Sequence, residues 1–162
     1  MEEQLIQVLV NSGADISGDR KEVPEVLNYQ QAVRMTLDLA AQLTKMHENH
    51  RGFIKITKEQ VVMIGDNNFL LKDLDLFRVD SNNKILISRP FEYNQLMAPE
   101  LKDIDTLPSR VNSNVGYYCI CKLVLSLLNI DNNLERLNPT KLFYLMERIF
   151  NPDPEKRRFL YI

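Results

Sequence analysis

An α+β, mainly helical fold is expected for this chain, and two patterns predict it. Apolar residues recur at helical spacing in four segments, and between the second and third of these the period changes to short β runs separated by turn residues. Two small β-hairpins set among helices follow, in one domain spanning residues 1–162. At 44% hydrophobic and 26% charged, with five glycines in 162 residues, the chain has the composition of a globular domain able to bury its own core.

Each element has a local reason. Glu2 to Val10 places Leu5, Val8 and Leu9 at helical spacing and runs into Asn11, Ser12 and Gly13, which stop helices. The string LIQVLVNSGADIS resembles the end of an ankyrin repeat, but nothing recurs at the spacing of about 33 residues that such an array requires. A polar link through Gly18, Asp19 and Arg20 leads to a long helix that carries Val33, Leu37, Ala40, Ala41 and Thr44. Asn28 serves as its cap and it ends near Met46. Val61 to Ile64 and Phe69 to Leu71, joined by Gly65 to Asn68, read as the first hairpin; Leu74 to Val79 and Lys84 to Ile87, joined by Asp80 to Asn83, read as the second. Pro90, Pro99 and Pro108 then break the chain. Tyr117 to Leu128 is apolar almost all round, as a central helix would be. Leu142, Leu145, Met146, Ile149 and Phe150 form a one-sided stripe that starts at Asn138 and Pro139 and is stopped by Pro152.

Several function classes lose support at this level. The net charge is -2 with lysines and arginines scattered, which argues against nucleic acid and anionic membranes as partners. Glu2 and Glu3 stand where a signal peptide needs positive charge, so a cytoplasmic location is expected. The longest apolar stretch, Tyr117 to Ile130, contains Lys122 and falls short of the roughly 20 residues of a bilayer span. Cys119 and Cys121 lack a second pair to complete a zinc site and are expected to be buried thiols. His47 and His50 close the long helix, where the dipole gives them a structural role. No G-x-S-x-G elbow and no G-x-G-x-x-G loop occurs, and no metal or cofactor is expected.

Three motifs carry a resemblance that covers nearly the whole chain. MAPEL at Met97 to Leu101 matches the A-P-E motif, NPDPEKRRF at Asn151 to Phe159 resembles a D-P-x-x-R segment, and KMHENHRGFIKITKEQVVMI fits the frame of a catalytic loop. In this order they resemble the C-terminal lobe of a protein kinase. The resemblance implies a kinase C-lobe-like fold with the N-lobe absent, and a buried ion pair between Glu100 and Arg157 that holds the segment before the central helix.

It also implies that the chemistry is gone. Laid over the H-R-D-x-x-x-x-N loop, Phe53 falls on the histidine, Ile54 on the arginine, Lys55 on the catalytic aspartate and Gln60 on the asparagine. Lysine is a cation without acceptor capacity and cannot take the substrate's proton. Asp73 falls on the magnesium-binding aspartate of D-F-G, while Asp75 replaces its glycine. Asp73 and Asp75 are therefore expected to be plain hairpin carboxylates.

A pseudokinase follows: an inactive protein-interaction or regulatory module whose partner is a kinase or a peptide segment. It is similar in extent to the noncatalytic C-lobe domains of actin nucleators and to truncated viral kinase-like proteins that pose as a lobe. One alternative is half of a phosphotransferase completed by an N-lobe from another chain; another is a peptide-binding scaffold unrelated to kinases. Where a kinase would receive its N-lobe, Leu5, Val8, Phe53, Ile54 and Phe77 are expected to expose an apolar partner-binding face. The groove near Tyr93 is the alternative face.

Overall fold

The computed structural model describes residues 1–162. Its helices are α1 (Glu2–Asn11), α2 (Tyr29–Glu48), α3 (Val115–Leu127) and α4 (Lys141–Ile149). Strands β1 (Arg20–Glu22), β3 (Val61–Ile64) and β4 (Asn68–Leu71) form one antiparallel sheet in the order β1-β3-β4. Strands β2 (Arg51–Gly52), β5 (Phe77–Val79), β6 (Lys84–Ile87) and β7 (Ser109–Asn112) form the second, in that order. The class is α+β, as expected.

Both expected hairpins are present, as β3/β4 and β5/β6, and each gains strands that periodicity could not announce. Strands of two to four residues, such as Arg20–Glu22, are too short to establish a period. The second hairpin starts later than expected, at Phe77 and not Leu74. Asp73 takes a left-handed backbone at φ 53°, and Arg89 draws Asp75 and the Leu76 carbonyl out of any ladder. At α4 the cap is Thr140, whose Oγ1 accepts from the Phe143 amide, and not the Asn138–Pro139 pair. Asn28 caps α2 as expected, and Gln31 returns a bond to the Asn28 amide to complete a capping box.

One core of 42 buried residues holds the two sheets and the helices together. α2 is its axis, packed on α1, α3, β2 and β4. Gly116 lets α3 approach α2: a Cβ there would lie 2.6 Å from Leu43 Cδ2 and 3.3 Å from the Phe53 carbonyl. Cys119 and Cys121 are buried in α3, and burial pushes both thiols up. No helix is long and apolar enough to cross a membrane.

Candidate functional site

Glu100 lies in a short 3-10 turn (Pro99–Asp103), and Arg157 follows another (Pro154–Lys156). The two meet in a two-pronged ion pair, Nη1 to Oε2 at 2.6 Å and Nη2 to Oε1 at 2.9 Å. The Arg157 side chain is 0% exposed and that of Glu100 22%. Arg157 Nε donates to the Asn151 carbonyl at 2.9 Å, Nη1 reaches Asn114 Oδ1 at 3.4 Å, and the guanidinium lies 4.9 Å from the Tyr118 ring centre. This geometry satisfies four of the five donors of a buried guanidinium and ties the segment after α4 to the 3-10 turn and to the start of α3.

The loop from Phe53 to Gln60 is packed as structure. Phe53 and Ile54 are buried, and Lys55 is half-buried and makes no ion pair. The Gln60 carboxamide is committed at both ends, Oε1 accepting from the Thr57 amide at 3.0 Å and Nε2 donating to the Asp73 carbonyl at 2.9 Å. It staples the loop to the end of β4. The Asp73 carboxylate is exposed at the edge of a cleft of about 400 Å³, lined also by Glu2, Leu5, Lys72 and Leu74. Asp75 is paired with Arg89, whose guanidinium stacks 3.8 Å from the Phe77 ring centre.

The expected apolar face is not exposed. Leu5, Phe53, Ile54 and Phe77 are all buried, and Val8 is half-buried. For Leu5 the reason is α1, which folds back onto α2 and β4 and inserts Leu5 and Leu9 into the core, while Phe53 lies by Gly116 of α3 and the Arg89 guanidinium covers the Phe77 ring. The surface that was expected to await a partner is covered from within the chain. The groove near Tyr93 does remain open. It encloses about 250 Å³ between Pro90, Phe91, Tyr93, Ile104 and Leu107, with Lys102 and Asp105 at its rim. Tyr93 is 37% and Leu107 41% exposed.

No protein-family model matches the chain, and no curated protein is detectably similar to it in sequence. Its functional reading therefore rests on the geometry.

One polar cluster escaped the sequence reading. β4 is an edge strand, and its free side is hydrogen-bonded by two side chains of α2 in place of another strand. Asp38 Oδ2 accepts from the Phe69 amide at 3.0 Å, Gln42 Nε2 donates to the Phe69 carbonyl at 2.8 Å, and Gln42 Oε1 accepts from the Leu71 amide at 2.9 Å. Burial raises Asp38 to about 6, against the opposing pull of the Phe69 amide and Arg34. The only available signal was an Asp and a Gln four apart among the apolar positions of α2. His47, in the last turn of α2, lies edge-on to Tyr117 with its Nε2 unpaired, and burial lowers it to about 4. Its role is structural, but through packing on Tyr117 and not through the helix dipole that was expected to favour it, since burial disfavours its charged form.

Proposed function

We propose that this chain is a catalytically inactive, kinase C-lobe-like module that acts in the cytoplasm by binding another protein. The Glu100–Arg157 pair carries the reading. Two residues 57 apart, singled out by the A-P-E and D-P-x-x-R motifs alone, meet in a two-pronged contact around a fully buried guanidinium. Inactivity is supported by Lys55 at the position of the general base and by Gln60, whose carboxamide oxygen already serves the Thr57 amide. The cleft beside Asp73 is lined by Glu2, which Arg20 pairs at 2.9 Å, by Asp73 and by Lys72, so it offers a single unpaired side-chain cation to a nucleotide's phosphates.

The partner docks at the Tyr93 groove. With the first-expected face buried, this groove offers the apolar lining and the open volume that one aliphatic or aromatic anchor of a peptide segment would fill. The test is affinity capture from cytosol with wild-type protein and with Leu107→Asp, read by quantitative mass spectrometry. A specific protein lost with Leu107→Asp, at an unchanged melting temperature, supports the reading. A partner retained equally by both forms removes the groove from it.

A further inference from the structure

The register of the four-stranded sheet places three arginines in one row. Arg51 pairs with Arg78, Arg78 with Leu86, and Leu86 with Arg110. Directly opposed residues of antiparallel strands point to the same side of the sheet. The neighbouring row, Val79, Ile85 and Val111, is buried, so the arginine row faces outward, and all three arginines are exposed. The Val79 amide donates to the His50 carbonyl, which makes the adjacent Arg51/Arg78 pair the closely spaced, non-hydrogen-bonded kind, with Cα atoms about 4.5 Å apart.

Like charges in that position destabilise a sheet. Neither Arg51 nor Arg78 is paired with a carboxylate. Arg51 Nη1 donates only to the neighbouring His50 carbonyl, at 3.0 Å. Arg110 Nε has a partner in Asp80 Oδ2, at 3.4 Å, while Asp80 Oδ1 accepts from the Asn82 and Lys84 amides at 2.8 and 3.1 Å. On the Arg110 side of Arg78 lies a hollow of about 470 Å³, lined by His50, Arg78, Asp80, Ser81, Leu86 and Arg110; Arg51 stands outside it, across Arg78 in the row. On a chain of net charge -2, this face leaves two adjacent guanidiniums unneutralised.

We propose that the Arg51/Arg78 pair is a receptor for a phosphomonoester on a peptide. Two forked guanidiniums on adjacent strands can bracket one tetrahedral group, and a phosphomonoester carries about -1.5 to -2 charge at neutral pH, which matches the two free cations. A nucleic-acid phosphodiester carries a single charge per phosphate and matches the local pair less well. Leu86, between Arg78 and Arg110 in the row, supplies an apolar contact for the residue beside the phosphorylated one. The site follows from strand register and stands whatever the ancestry of the fold.

The test uses the full chain with amide chemical shifts and fluorescence anisotropy. The probes are inorganic phosphate, a labelled peptide pool with a central phosphoserine or phosphotyrosine in degenerate flanks, the same pool unphosphorylated, and a single-stranded oligonucleotide. Phosphate should shift the Arg51 and Arg78 amides. The phosphorylated pool should bind about tenfold more tightly than the unphosphorylated one, and Arg78→Gln should abolish that difference, since one charge-assisted bond contributes on that order. Arg78→Gln should also melt no lower than wild type, because it relieves the like-charge pair; Lys21→Gln, on β1 of the other sheet, should bind as wild type. Equal binding of the two pools, or a phosphate preference surviving Arg78→Gln, overturns the proposal. Tighter binding of the oligonucleotide than of the phosphorylated pool overturns it in favour of a nucleic-acid face.

Discussion

Replacing Glu100 with Ala leaves the Arg157 guanidinium in place without its counter-charge. The side chain is 0% exposed, so water cannot substitute directly, and its remaining partners are the Asn151 carbonyl and the Asn114 side chain. Breaking a buried pair in this way costs about 3 to 5 kcal/mol. The two surviving acceptors and the 22% exposure of Glu100 place the expected loss near the lower end, about 3 kcal/mol. For a domain of this size that is a fall in melting temperature of about 6 to 12 °C. Arg157→Ala should cost a similar amount through lost packing on Tyr118 and the lost Asn151 contact. The double variant should lose clearly less than the sum of the singles, because each single change already breaks the shared interaction. Urea melts of the four proteins supply the cycle. Additive losses, or single losses below about 0.5 kcal/mol as for an ordinary surface change, would refute the reading of this pair as the clamp between the Pro99–Asp103 turn and α3.

Two buried groups give opposing pH dependences. Asp38 titrates at about 6 in the fold against an ordinary 3.8, so the folded state holds the extra proton between these values and its contribution is lost as pH rises through 6. His47 titrates at about 4 against 6.5, so its contribution is present above 6.5 and is lost as pH falls through 4. Each gap is on the order of 3 kcal/mol. Relative to wild type, Asp38→Asn should therefore make stability rise more steeply with pH between 4 and 6, and His47→Gln should tilt it the other way; denaturant melts at pH 4, 5, 6 and 7 read both slopes. Unchanged slopes would mean that neither group is desolvated. Gly116→Ala, ordinarily stabilising in a helix, should cost about 1 to 3 kcal/mol because the new methyl overpacks Leu43, and a stabilised variant would show that α2 and α3 have room to part.

The features legible in the sequence were those with a long period or a named spacing. α2 and α4 announce themselves by apolar stripes, α3 by a run apolar almost all round, and both hairpins by turn residues between short apolar runs. Glu100 and Arg157 were found because motif order brings together residues that no local pattern could connect. The apolar face failed for the opposite reason. Periodicity identifies Leu5 and Leu9 as one side of a helix but does not state where that helix goes, and its docking on α2 and β4 is tertiary. The arginine row was hidden because Arg51, Arg78 and Arg110 sit in three separate strands and become neighbours only through cross-strand register.

The central claim, a kinase-like lobe without kinase chemistry, is tested most directly by thermal unfolding with and without ATP and magnesium. A nucleotide present at 100 times its dissociation constant would stabilise the fold by about 2.7 kcal/mol, or roughly 5 to 11 °C. With Lys55 at the base position, Gln60 committed to the backbone and Lys72 the one unpaired side-chain cation lining the cleft, the melting temperature should not move. A rise of several degrees that disappears in Asp73→Ala would contradict the account and restore a nucleotide site beside Asp73.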